Sequence, residues 1–149
     1  MKEKHGMTLI VRTITRISVW LIFLYGFYII FHGHLTPGGG FAGGVILALA
    51  LLNYMLAYGR EKTENWININ LLHDMESASA ILFLIVGILG IAISGSFLAN
   101  WLSGGKLFAL FSSGTIPILN IIIGIKVCAG LFFVVWTLSI FHIEEEAEE

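Results

Sequence analysis

The stretch His32-Gly33-His34-Leu35-Thr36-Pro37-Gly38-Gly39-Gly40-Phe41-Ala42-Gly43-Gly44 separates two long apolar runs and contains one of only two prolines in the chain. Proline has no backbone N–H and drives the residue before it, Thr36, out of the helical region. Pro37 therefore ends one helix. It is also suited to begin the next, because a proline in a first helical turn gives up no hydrogen bond. Gly38, Gly39 and Gly40 admit backbone angles that other residues resist. Beyond them, Gly40 and Gly44 are four apart, as are Gly39 and Gly43. This small-xxx-small spacing lets helices in a membrane approach closely. The stretch predicts a sharp turn followed by a tightly packed helix, with Phe41 as an apolar anchor packed where the glycines leave room.

The composition around this turn points to a membrane. The 149 residues are 57% hydrophobic and 12% charged. Soluble domains carry about 25% charged residues. No polar stretch is long enough to form a separate soluble domain, so residues 1–149 read as a single polytopic membrane domain. Crossing a hydrocarbon core takes about 20 apolar residues as helix. Four runs qualify, at about 8–31, 41–58, 78–101 and 116–142. They are too long and too unalternating for barrel strands, and only helices or closed barrels satisfy the backbone in lipid. The fold class is thus all-α integral membrane, with four transmembrane helices and a Pro-Gly-rich break between helices 1 and 2. The first run continues to a full span and no small-residue cleavage site follows it, so it does not read as a cleavable signal.

Lys2, Lys4, Arg12, Arg16, Arg60 and Lys62 fall on one side of this arrangement, and only Lys106 on the other. The positive-inside rule makes the N- and C-termini cytoplasmic and places the Pro-Gly loop outside. Residues 143–149 form an acidic cytoplasmic tail, read as solvated and partly disordered. Arg12 and Arg16 share a helix face, where they either snorkel to the interface or meet anionic lipid or a partner's acidic loop. No basic patch suggests nucleic acid. Cys128 is the only cysteine, so there is neither a disulfide framework nor a thiol metal site.

The run Gly33-His34-Leu35-Thr36-Pro37-Gly38-Gly39-Gly40-Phe41-Ala42-Gly43-Gly44 resembles the G-H-x-x-P-G-G-G-F-x-G-G signature of the MnhB family, a membrane component of Mrp-type multisubunit Na+/H+ antiporters. Leu35 stands where many members carry Asn, which counts against a ligand role for the loop. The resemblance implies a hetero-oligomer of several membrane subunits in the bacterial plasma membrane. In such a complex proton influx drives sodium out, and large antiporter-like subunits carry most of the ionisable chain. The partners it implies are those other subunits, transported Na+ and H+, and membrane lipids. A related subunit occurs in membrane-bound hydrogenase complexes, so a structural subunit of a redox complex is the alternative.

Three residues are candidates for an ion path: Lys126, His34 and His32. Lys126 lies about 15 Å into the fourth span, near the bilayer midplane, where a lysine costs about 2.5–3.5 kcal/mol on insertion scales. No acidic residue of the chain stands clearly at its depth in this reading, so a partner subunit is expected to supply its counter-charge. It either relays ions or pairs structurally. Imidazole in general titrates near physiological pH, so His32 and His34 are candidates to pass protons at a pore mouth, or they bond backbone groups freed by the break. His73, Asp74 and Glu76 group before the third span, where Asp74 or Ser77 is expected to cap the helix. No Ser-His-Asp set, thiol cluster or helical His-Glu motif occurs. The expectation is therefore no catalytic residue, no metal, no cofactor and no enzymatic activity.

Overall fold

The computed structural model describes residues 7–35, 37–102 and 113–148, without the side chains of 141–148. Thr36, Lys2, Lys4 and Lys106 fall outside the described residues, so the angles expected of Thr36 and the placement of these lysines are not described. The described residues are helical, with no strand among them. Helices α1 (Leu9–Phe31), α2 (Gly39–Tyr58), α4 (Ile69–Ser94) and the Ile116–Ile140 part of α5 (Ile116–Glu148) are long and apolar enough to cross a membrane. Between α2 and α4 lies the short helix α3 (Arg60–Trp66). The protein is a multi-pass membrane protein.

The helices pack in the order α1, α2, α5, α4. They form an open row with α4 at one edge and little contact between α1 and α5. The middle helix α2 is buried on the most sides, with its glycines and alanines carrying much of that burial. The larger side chains meet between α2 and α5, where Leu51, Met55, Phe132 and Trp136 form a core flanked by Phe23, Leu72 and Ile140. A row of this kind leaves both broad faces apolar and exposed. Trp20, Leu24, Ile81, Leu84, Ile88 and Leu138 all point outward. Lipid or neighbouring subunits must cover these faces.

Two boundaries differ from the sequence expectation. The third span runs from Ile69 to Ser94 instead of 78–101. Its cap is Asn68, whose side-chain oxygen accepts from the backbone N–H groups of Asn70 (3.1 Å) and Leu71 (3.2 Å). Asp74 and Ser77 lie inside the helix and do not cap it. A hydropathy reading is blind to this because the first two turns of α4 carry polar side chains, while capping needs only one well-placed oxygen. At the other end Gly95 takes the left-handed conformation (φ 75°) and stops the helix. The apolar residues after it fold back, with Phe97 against Gly87 and the backbone of 98–99 against Gly90. The second difference is the acidic tail. Its composition predicts partial disorder, but the backbone of α5 stays helical to Glu148.

Candidate functional site

Two regions hold the residues singled out above. One is the junction between α1 and α2. Gly38 (φ 104°) and Gly39 (φ 49°) adopt angles that L side chains rarely take, which lets the chain reverse within a few residues and start α2. The reversed chain is pressed against α5 at Asn120. The Asn120 side-chain oxygen accepts from the Gly40 N–H at 3.3 Å, which satisfies one of the donors a helix N-terminus leaves open. A β-carbon on Gly40 would collide with the Asn120 carbonyl, and one on Gly33 would come within 2.7 Å of the Asn120 side-chain nitrogen. One turn on, a β-carbon on Gly44 would lie 2.7 Å from the Gly124 carbonyl oxygen, and one on Gly43 would collide with Ile30. Glycine is required here because three helices meet backbone to backbone.

Pro37 is exposed at the tip of this turn. His32 stacks on Tyr28, with ring centres 4.2 Å apart, and its Nδ1 lies 3.0 Å from the Tyr28 carbonyl oxygen. The same carbonyl oxygen also accepts the His32 backbone N–H at 3.0 Å. His34 is half-buried beside it. Phe41 departs from expectation. Its ring is 63% exposed, because the space beside the glycines is taken by backbone. Asn120, a carboxamide inside an apolar span, is the α5 residue that meets this junction.

The second region is the seam between α4 and α5. The sequence predicts no acid within the chain for Lys126, but its ammonium lies 3.8 Å from the carboxylate of Glu76. The earlier start of α4 explains the difference, since it puts Glu76 about 10 Å into that helix and not in a preceding loop. Gly130, one turn along α5, also faces the acid, and a β-carbon there would meet Glu76 at an ordinary contact distance of 3.6 Å. One turn back along α4, His73 packs edge-on against Phe133 of α5, with centroids 5.5 Å apart. His73, Glu76 and Lys126 thus follow one another along the seam. Lys126 is 47% and Glu76 33% exposed at the side of the row. A single contact of 3.8 Å leaves most of the ammonium's three donors open. Lys126 and the junction histidines belong to different regions, since Asn120 and Lys126 lie about 9 Å apart along α5. Among the described residues, no group of three or more His, Cys, Asp or Glu is placed to hold a metal.

The chain has relatives among known proteins. Residues 10–133 match the model of the domain related to the MnhB subunit of Na+/H+ antiporter. An uncharacterized protein of Methanocaldococcus jannaschii is 35% identical over 128 residues, covering 82% of this chain and 48% of that protein. A Na+/H+ antiporter component from Bacillus subtilis, its B-type subunit, is 29% identical over 100 residues, covering 67% of this chain and 69% of that protein. Among solved structures, a chain of the membrane-bound sulfane sulfur reductase, an archaeal respiratory membrane complex, superposes with a TM-score of 0.74 at 35% identity. That match covers 91% of this chain and 59% of the other. The chain therefore spans about half the length of the M. jannaschii relative.

Proposed function

The chain belongs to the MnhB family, and from that premise we propose that it is a membrane subunit of a multisubunit Na+/H+ antiporter that uses proton influx to expel sodium. The observation that supports this most is the family match across residues 10–133. The geometry fits the same reading. An open row of four spans encloses no path by itself and offers broad apolar faces to neighbours. In this reading the junction sets the angle between α1 and α2, and Lys126 with Glu76 lines or sets the field along an ion path completed by a partner. His32 and His34 stand near the opposite membrane surface, where they can exchange protons with water. The subunit is non-enzymatic and sits in the plasma membrane of a bacterium or archaeon, with its termini in the cytoplasm.

Everted vesicles test this. Cells making the chain alone are expected to show no Na+-dependent proton movement, and cells making it with its neighbouring subunits are expected to show it. Antiport by the isolated chain sinks the proposal. The likeness to a chain of a respiratory complex favours one second reading, a structural subunit of a redox-driven assembly. The subunits that co-purify separate the two. Iron–sulfur- or nickel-bearing partners support the redox assembly, and large antiporter-like partners without them support the antiporter.

A further inference from the structure

At the end of the row away from the glycine junction, the start of α1, the end of α2 and α3 meet in a corner rich in aromatic and cationic groups. Tyr54 is flanked by Tyr58 on one side, stacked at 4.5 Å, and by Trp66 on the other at 4.4 Å. The Tyr58 hydroxyl donates to the Arg12 carbonyl oxygen (2.9 Å), and Arg12 Nε donates to the Ala57 carbonyl oxygen (3.4 Å). These bonds fix the start of α1 to the end of α2. The Lys62 ammonium stands 6.0 Å from the Tyr58 ring centre. Arg16 lies one turn beyond Arg12 on the same face of α1. Arg16, Lys62 and Trp66 are exposed.

The charge balance of this corner is uneven. Arg60, nearby on α3, is already engaged by Glu64 at 3.4 Å and lies over Trp136 at 4.8 Å. Among the described residues, Arg12, Arg16 and Lys62 have no carboxylate within salt-bridge distance. Glu61 precedes Lys62 but projects about 100° round the helix from it. Three cations thus lie on the elements that bear one aromatic wall, and among the described residues none of them has a carboxylate to balance it. The wall lies where the spans end, the level at which Tyr and Trp gather at a membrane–water boundary. A group that satisfies all of this has an anionic oxygen cluster for the cations and an apolar body for the rings. Inorganic phosphate supplies only the first. We propose that this corner binds the phosphate of an anionic phospholipid, with Arg16 and Lys62 holding the headgroup and Trp66, backed by Tyr54 and Tyr58, packing its glycerol and upper acyl chains. The site is independent of the ion the complex moves.

Lipid retention by the intact purified complex tests this. Assemble it in nanodiscs of equimolar phosphatidylcholine and phosphatidylglycerol, and quantify the lipids that stay bound after mild detergent extraction. Phosphatidylglycerol is expected to be retained preferentially. Arg16→Gln with Lys62→Gln is expected to lower that retention on the order of tenfold while complex yield holds, since each basic group near a membrane surface contributes appreciably to anionic-lipid binding. Arg16→Lys with Lys62→Arg is expected to keep the preference. Equal retention of both lipids by the wild type, or an unchanged preference in the double Gln variant, overturns the proposal. So does displacement of the preference by excess inorganic phosphate, which identifies a free anion as the ligand. Loss of a partner subunit from the double Gln variant also overturns it and assigns the corner to an acidic loop of that partner.

Discussion

Helix α5 meets its two neighbours in opposite ways. Against α2 and the α1–α2 junction it packs backbone to backbone, through Gly40, Gly44 and Gly124, with one carboxamide–amide hydrogen bond at Asn120. Against α4 it presents a lysine, a glycine and Phe133, and the acid it meets is only partly covered. The first seam is complete within the chain: adding an atom to it would cause a collision. The second is unfinished, because a charged pair at the side of the row retains hydrogen-bonding capacity that lipid cannot meet. The contrast separates a region that fixes the shape of the subunit from one that faces something else.

The largest effect is expected where the closed seam is forced open. Gly44→Leu places a branched side chain where a single β-carbon would already lie 2.8 Å from Val127. Overpacking of this kind costs about 3 kcal/mol or more when backbone must move. Recovery of the intact complex is expected to fall steeply, measured as co-purifying subunits. Wild-type yield and activity in this variant would show that the helices separate there at little cost, and the contrast between the seams would be lost.

The open seam is probed by charge. Lys126→Met leaves Glu76 without its partner, and Glu76→Gln leaves Lys126 without its own. A coupling of about 0.5–3 kcal/mol is typical for residues in contact, so each single change is expected to lower assembly moderately. The double variant Lys126→Met with Glu76→Gln distinguishes the roles. A purely structural pair predicts that the double variant regains both yield and Na+-dependent proton movement. An ion-path pair predicts regained yield with transport still lost or shifted in its pH profile. Lys126→Arg keeps the charge and is expected to retain assembly in part, although the planar guanidinium does not fit every ammonium site.

A smaller effect is expected at Gly38. With φ at 104°, a side chain there is strained, and a β-carbon would also lie 2.7 Å from that of Ala42. Gly38→Ala is expected to cost about 1–3 kcal/mol, less than Gly44→Leu because the turn lies at the end of the row and can adjust. Thermal unfolding of the complex measures it. A melting temperature unchanged from wild type would mean that the turn has another conformation available.

The fold is legible in the sequence wherever hydropathy and helix-breaking residues coincide. Pro37 and the glycines mark the first turn, and α1 and α2 fall close to where their apolar runs place them. The third span is misplaced by hydropathy because its signals are chemical: the Asn68 carboxamide starts it among polar residues, and Gly95 ends it among apolar ones. The misplaced span also hides the partner of Lys126. With α4 begun at 78, Glu76 belongs to a loop; begun at Ile69, it faces α5. Glycine spacing shows that helices approach closely at Gly40 and Gly44 but not which helix arrives. Asn120 and Gly124 of α5 lie 80 residues further along the chain, a separation that no local pattern reveals.

Phe41 offers the finest test, because its place in the sequence puts it in the closed region while the structure leaves it exposed. It sits in the first turn of α2, between Gly40 and Gly43, yet its ring is 63% exposed. Phe→Ala in a packed core costs about 3–5 kcal/mol. Here the ring touches little of its own chain, so Phe41→Ala is expected to change the stability of the isolated chain by less than about 0.5 kcal/mol, as for other surface substitutions. The intact complex gives an independent readout. If a neighbouring subunit covers the ring, as the exposed apolar faces require of something, the same variant weakens assembly or lowers activity while the isolated chain melts as before. If lipid covers it, both measurements stay at wild-type values. A large drop in the stability of the isolated chain is the outcome that contradicts the structure, because it would return Phe41 to the packed seam where its place in the sequence first puts it.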